Sequence, residues 1–393
     1  MKPTKSSVAL YLQLSLFVLV TASVTQAQKL RTRKIDPGEL YLIEKNGRFG
    51  YIDRNGRMVI QPQYAWAFPF SEGLALVLVG KKQNEKRSAY IDKTGRVVIR
   101  LLDGSPSKFS SGLARVLLGA EYLYMNKRGR WVSRAYPNAE DCTEGLCAVE
   151  METRGSNMWG FINTSGAIMV KGQYGWAEPF KEGAARVGIM IGEPYPKDGV
   201  PARDGKEGYI DKTGRPITEL KFDKAWDFSE GMAQVRVNGK WGYIDKNGSI
   251  VISPQYDETQ PFKKDLAGVK VKGLWGFIGK TGRPVIAPQF EFVNSFSEGL
   301  AAVGSGGRTF YIDRSGAQIL SPPFKSLGSF RNGLATFRVN DKVGVFDRTG
   351  KVILPADFDS IEVLADGLIF VEDKQKGLGY TDRNGRFVWG PTY

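Results

Sequence analysis

The sequence predicts an all-β protein, a tandem array of short antiparallel three-stranded meanders, and three observations carry that prediction. One motif, clearest as Lys240-Trp241-Gly242-Tyr243-Ile244-Asp245-Lys246-Asn247-Gly248, occurs ten times. Its aromatic recurs as Tyr51, Tyr90, Tyr124, Phe161, Tyr209, Tyr243, Phe277 and Tyr311, with Val345 and Tyr380 in the last two copies, at steps of 39, 34, 37, 48, 34, 34, 34, 34 and 35 residues. A fixed period of this size marks a repeat array. The third observation is the 47 glycines and 19 prolines, which punctuate every unit and exclude the helical repeats of similar period. Length alone, 393 residues, suggests two or three domains, but an array grows by adding units, so one continuous repeat domain is expected.

The first element is a targeting segment. Lys2 and Lys5 precede an apolar stretch from Val8 to Val20, and Thr25-Gln26-Ala27 offers small residues at the positions a signal peptidase reads. Cleavage is expected after Ala27. The expected organisation is therefore a signal peptide over 1–27, a linker over 28–38 and the repeat domain over 39–393. An uncleaved anchor is the alternative, although the apolar run is short for a spanning helix. No later segment is apolar enough to span a membrane.

Each unit then reads as three strands. In copy six, Met232 to Val237 alternates Ala233, Val235 and Val237 onto one face. Asn238-Gly239 is a two-residue hairpin signal, Lys240 to Asp245 the second strand, and Ile250 to Ile252 the third. A connector follows, Ser253-Pro254-Gln255-Tyr256-Asp257, ending in an aromatic near Phe262 and a Ser-Glu-Gly turn such as Ser229-Glu230-Gly231. Asp53, Asp92, Asp211, Asp245, Asp313, Asp347 and Asp382 each stand three residues before a glycine, where an Asp accepts N–H bonds from within the turn and the glycine closes it in the left-handed region. Gly279 cannot accept such bonds, so that copy is expected to turn more loosely. Gly242 and its equivalents are expected to be small because a side chain would strike the neighbouring unit's aromatic. A lone three-stranded sheet buries too little to stand alone, so the units must stack. An open, curved superhelix or solenoid is the preferred geometry, with a closed propeller-like ring as the alternative. The array begins and ends in phase, since Leu40 to Ile43 resembles a first strand and Phe387 to Trp389 a third.

Lys240-Trp241-Gly242-Tyr243-Ile244-Asp245, Trp159-Gly160-Phe161-Ile162 and Trp275-Gly276-Phe277-Ile278 resemble the signature of the WG-repeat family, also called KWG repeats. The resemblance covers nearly all of the chain beyond the leader. It departs where Phe49, Glu207, Val343 and Leu378 replace the Trp. The resemblance implies a β-rich bacterial repeat module and carries over no catalytic residue.

The chain has no histidine, which removes the usual general base, the common triads and the commonest metal ligand. Neither a cofactor nor a metal is expected. Cys142 and Cys147 replace a recurring core Phe and a recurring core Ala; in an oxidising compartment they are expected to form a disulfide, with a redox-active pair or two buried thiols as alternatives. Glu72, Glu144, Glu182, Glu230 and Glu298 form a column. A carboxylate pair across a groove runs glycoside hydrolysis, but a column reads more simply as a solvated turn position. Trp66, Trp176 and Trp226 stand at similar connector positions, for core packing or for carbohydrate stacking.

The net charge is +14, and +12 once Lys2 and Lys5 are gone. That balance favours an acidic protein or an anionic envelope polymer as partner; nucleic acid suits the charge but not export. Two basic rows follow the turns. Arg57, Arg96, Arg130, Arg215, Arg283, Lys351 and Arg386 come after the turn glycine and form the candidate polyanion-binding ridge. Arg54, Lys93, Lys127, Lys212, Lys246, Lys280, Arg314, Arg348 and Arg383 come after the turn Asp or its stand-in. Such cations also blunt exposed hairpin tips against aggregation. Two loops, Gly80 to Ser88 and Gly192 to Lys206, break the period and are candidate binding insertions. The expected function is a non-enzymatic exported scaffold binding a protein or a polyanion. A cell-wall or carbohydrate-active enzyme and a purely structural envelope protein are the alternatives.

Overall fold

A computed structural model of the chain describes residues 38–80, 87–153, 155–189 and 205–390. The expected leader, nearly all of the linker and most of both insertion loops lie outside the described residues. The described residues form ten small antiparallel sheets and no helix. Taken in chain order the sheets are blades 1 to 10: Tyr41–Tyr64, Trp66–Arg100, Ser105–Asn126, Asn138–Tyr174, Trp176–Asp211, Lys224–Tyr256, Glu258–Phe290, Phe292–Leu320, Ser326–Phe358 and Ser360–Trp389.

The expected three strands are present in eight blades, most of which add a fourth; in blades 3 and 5 isolated bridges such as Met125↔Trp131 and Ile210↔Pro216 take the place of the third. In nine of the ten sheets a strand of two to four residues, such as Glu258–Thr259, pairs outside the first long strand, and seven of the sheets thereby reach four strands. This short strand comes from the connector, which therefore ends one blade and begins the next. Blade 1 shows three strands among the described residues. There the Tyr380 hydroxyl of blade 10 donates to the Leu42 carbonyl at 2.9 Å, the position that the Phe68 N–H of the short strand uses on Leu76 in blade 2.

The core is layered between blades. The motif aromatic is buried and its ring meets the recurring phenylalanine edge-on, as in Tyr51–Phe70, Tyr243–Phe262 and Phe277–Phe296 at 4.8–4.9 Å. Where it is a tyrosine, its hydroxyl donates to a carbonyl of the next blade: Tyr51 to Phe68, Tyr209 to Trp226, Tyr243 to Gln260, Tyr311 to Gly328. Each hydroxyl thus enters the core with its hydrogen bond satisfied.

The motif glycine is small for a different reason from the one expected. A side chain on Gly50 or Gly276 would sit 2.5 Å from the Ile60 or Ile286 carbonyl, which belongs to the third strand of the same blade. That strand bulges, its register slipping between Trp275↔Phe290 and Phe277↔Ile286, and the bulge presses backbone against the glycine. The turn residues behave as expected: Asp245 Oδ1 accepts the Asn247 and Ser249 N–H groups, each at 2.9 Å, and Gly248 is left-handed. The Gly279 turn is no looser, because its backbone bonds, Gly279 N–H to Arg283 and Gly282 N–H to Gly279, persist at 3.1 and 2.9 Å.

The blades close into a ring, a ten-bladed propeller, and not the open superhelix preferred from the sequence. A side chain on turn Gly166, Gly248 or Gly385 would strike the backbone that follows the second long strand of the preceding blade, at Val132, Ile217 or Ile353. One on Gly56 of blade 1 would strike Val388 of blade 10 in the same way. The core continues across this seam, with Tyr41, Ile43 and Ile52 packed against Leu368 and Tyr380.

Candidate functional site

The two basic rows have different fates. The row after the turn Asp is built into the joints. Lys127 pairs with Glu72 of the preceding blade at 3.1 Å, Lys212 with Glu144 at 3.0 Å, Lys246 with Glu182 at 3.3 Å and Arg348 with Glu298 at 3.0 Å. The same cations donate to the carbonyls of those glutamates. Each glutamate sits in the left-handed region and turns its carboxylate to the next blade's turn: Glu72 accepts Gly112 N–H, Glu182 accepts Glu230 and Gly231 N–H, Glu230 accepts Lys264 and Asp265 N–H. The glutamate column is therefore a set of clasps rather than a solvated position. Partial burial works to raise the Glu144, Glu182 and Glu298 carboxyls. The lysine, arginine and backbone donors outweigh it and hold all three below the ordinary range. Lys93 donates to Gly38 of blade 1, Arg383 to Asn332 of blade 9, and Arg54 of blade 1 to Asp366 of blade 10, so the clasp also spans the seam.

The candidate ridge stays outside this system. Arg57, Arg96, Arg130, Arg215, Arg283, Lys351 and Arg386 are all exposed. Arg96 pairs with its own turn residue, Asp92, at 3.1 Å. Ala167, Ser249 and Ala317 hold the same place in blades 4, 6 and 8, and their turns keep the same backbone bond at 2.9–3.0 Å. The fold therefore places no demand for a cation there. Two residues further along the same face, Val59, Val98, Val251, Val285 and Ile319 are also exposed.

Closing the ring gives the ridge a polarity. Blades 9, 10, 1, 2 and 3 carry Lys351, Arg386, Arg57, Arg96 and Arg130 without interruption, whereas blades 4 to 8 alternate between Ala167, Arg215, Ser249, Arg283 and Ala317. At the middle of the continuous arc, on the seam, lies a cleft of about 360 Å³ lined by Arg54, Gly367, Asp382, Arg383, Arg386 and Phe387 among others. Asp366 occupies the glutamate column here but is shorter; it accepts the Tyr41 hydroxyl at 2.5 Å and its own Leu368 N–H.

One further polar cluster occurs in two places: Arg115 meets Glu140 and Asp141 between blades 3 and 4, and Arg186 builds a larger one between blades 5 and 6. Arg186 reaches Asp227 at 2.8 Å, Glu178 at 3.7 Å and Glu207 at 3.9 Å, between the rings of Trp176 and Trp226. Glu207 stands where the motif has Trp and is buried. Desolvation raises its carboxyl despite the Ala225 N–H at 2.7 Å and the nearby Arg186 and Lys224 charges. Lys181, 3.9 Å from Asp227, and Lys224, 3.7 Å from Glu207, join Arg186 to set three cations against three carboxylates, a charge-balanced lock between blades 5 and 6. The tryptophans themselves divide: Trp176 is buried, while Trp66 and Trp226 are about half exposed, Trp66 against Phe49. The Cys142–Cys147 disulfide is present and packs under Tyr124, where other blades have the phenylalanine. Among the described residues no cluster of His, Cys, Asp or Glu could hold a metal ion, and no helix is long and apolar enough to cross a membrane.

The WG containing repeat model matches residues 49–82, 159–189, 208–241, 241–275, 275–308, 310–342 and 344–376, more than half of the chain. The chain belongs to the WG-repeat family. Most of blades 2 and 3, where the signature is weakest, falls between the matched segments of this WG-repeat ring. No match was found among curated protein sequences. Solved structures resemble it at low identity. A eukaryotic initiation factor is 13% identical over 76% of this chain and 92% of its own, with a TM-score of 0.47. Hsv2 from Kluyveromyces lactis is 8% identical over 72% and 97%, at 0.31. A protein from Agrobacterium tumefaciens assigned as a TolB is 11% identical over 57% and 82%, at 0.25. At these scores the likenesses carry no argument, and the ring is read from this chain's own contacts.

Proposed function

We propose that this WG-repeat ring is an exported, non-enzymatic scaffold that holds an anionic envelope polymer along its ridge of cations. The observation that carries the reading is the pairing of exposure with dispensability. Seven cations stand in register on the turn position, while Ala167, Ser249 and Ala317 build the same turn without charge. A row of weak, evenly spaced contacts suits a repeating ligand, since each added contact raises avidity without needing a deep pocket. The neutralised state of Glu178, Glu207 and Asp227 supports a scaffold over an enzyme, because an acid–base pair needs at least one carboxylate turned to substrate.

The test is binding of the full chain to polygalacturonate across a salt series, beside a variant with all seven ridge cations replaced by Ala. Binding should weaken steeply with salt, and the variant should lose it while keeping its circular dichroism spectrum. Binding that ignores salt, or persists in the variant, overturns the reading. A purely structural role is favoured by the exposed aliphatic row beside the cations. It predicts a different outcome, in which the wild-type chain does not bind and the variant aggregates.

A further inference from the structure

We infer that the cleft between blades 10 and 1 is the principal site on the ridge and takes the carboxylate of an acidic sugar within an anionic glycan. The inference rests on the polyanion reading above and adds a place and a ligand chemistry to it. The place follows from ring closure. The five uninterrupted cations are far apart in sequence, Lys351 and Arg386 at one end and Arg57, Arg96 and Arg130 at the other, and only the seam brings them side by side. The seam cleft lies at the centre of that arc.

The chemistry follows from the lining. Arg54 and Arg383 are held in position: Arg54 donates through Nη2 to the Asp366 carbonyl with its Nε 3.6 Å from that carboxylate, and Arg383 donates through Nη2 to the Asn332 carbonyl. A guanidinium has five N–H donors in a planar fork, so both keep donors in hand, already oriented. Arg386 also lines the cleft; it is exposed, and its hydrogen bonds to Asp382 are made by its backbone N–H and carbonyl. Asp366 is engaged by Tyr41, Leu368 and Arg54, and Asp382 accepts the Asn384 and Arg386 N–H groups through Oδ1, which leaves the three guanidinium groups in excess over the two carboxylates. The site thus presents three guanidinium groups to an oxyanion. Phe387, half exposed, lines the cleft as well. It offers an aromatic face that a bare phosphate cannot use and that the C–H face of a sugar ring can cover. A volume of about 360 Å³ falls at the small end of ligand sites.

The test measures affinity of the full chain for an oligogalacturonate and for inorganic polyphosphate at low salt. Four proteins are compared: wild type, Arg386→Ala, Phe387→Gln, and the double variant Arg215→Ala/Arg283→Ala on the opposite arc. Ala is native at the ridge position in blades 4 and 8, and Gln318 stands where Phe387 does in blade 8, so these variants should fold. Arg386→Ala should weaken oligogalacturonate binding about tenfold, the loss of one charge-assisted contact. The double variant, although it removes more charge, should change it less than about twofold, as distant exposed charges do under screening. Phe387→Gln should weaken the oligogalacturonate and spare polyphosphate. Equal losses from the two arcs would overturn the seam site and leave the polyanion reading standing. Indifference to Phe387→Gln, or preference for polyphosphate, would overturn the sugar assignment. No binding by the wild-type chain to either polymer would remove the polyanion reading itself.

Discussion

Each motif residue has a separate structural task, and each task predicts its own penalty. Gly242 faces the backbone of its own third strand, so Gly242→Ala should destabilise by about 3 kcal/mol, at the upper end for overpacking, measured by chemical denaturation. Tyr243→Phe should cost only about 1 kcal/mol, because it removes the hydrogen bond to Gln260 and leaves the ring, and Phe161 and Phe277 are native at the same place. The turn Asp was legible in the sequence because its partners lie two and four residues away, as the Asp245 bonds to Asn247 and Ser249 show. The reason for Gly242 was not, because the clash comes from a bulge, and register slips leave no local signal. The charge after each turn Asp was legible as a cation but not as a clasp. Its partner glutamate lies roughly fifty to seventy positions earlier, as Lys246 and Glu182 illustrate.

At the scale of the element, the disulfide replaces an aromatic contact with a covalent one. Cys142 and Cys147 hold the places of Phe and Ala in other turns and pack with Tyr124, Tyr136 and Val149. The Cys142→Ser/Cys147→Ser variant should lose about 2 kcal/mol, the low end for so short a ring, read as a fall in the denaturation midpoint. Cys142→Phe/Cys147→Ala should recover most of that by restoring the aromatic layer, and failure to recover it would show that the turn itself had drifted. The three long strands of eight blades, and the two of blades 3 and 5, were legible from alternation and turn residues. The short fourth strand, Trp66–Ala67 or Glu258–Thr259, was not, since two residues carry no periodicity. The lock around Arg186 escaped for another reason: Glu207 reads as a lost Trp until Arg186 and Asp227, from blade 5 and the edge of blade 6, come to meet it.

For the whole molecule, the clasps tie stability to pH. Glu144, Glu182 and Glu298 have folded-state pKa values below the ordinary 4.5, so the folded chain binds their protons less readily than the unfolded one. The stability they add is present above about pH 4.5 and is lost as pH falls through the lowered values. The denaturation midpoint should therefore drop below pH 4.5, and Glu144→Gln/Glu182→Gln/Glu298→Gln should flatten that drop; an unchanged slope would remove the clasps from the acid response. Ring closure was half legible. The array's matching ends, Leu40 to Ile43 and Phe387 to Trp389, are what a ring requires, but an open array tolerates them equally, and the approach of Gly56 to Val388 that marks the seam leaves no local signal in either segment. The polarity of the ridge could not be seen before closure, because blades 10 and 1 are the most distant in sequence and neighbours in space. Closure also constrains how such a chain can change in length. An open stack gains or loses a repeat at either end and leaves the other joints untouched. A hoop admits only whole numbers, and every insertion or deletion must re-angle all the remaining joints at once. Variation in this molecule is thus channelled away from repeat number and into single positions within blades, where Glu207, Cys142 and Asp366 already mark its individuality.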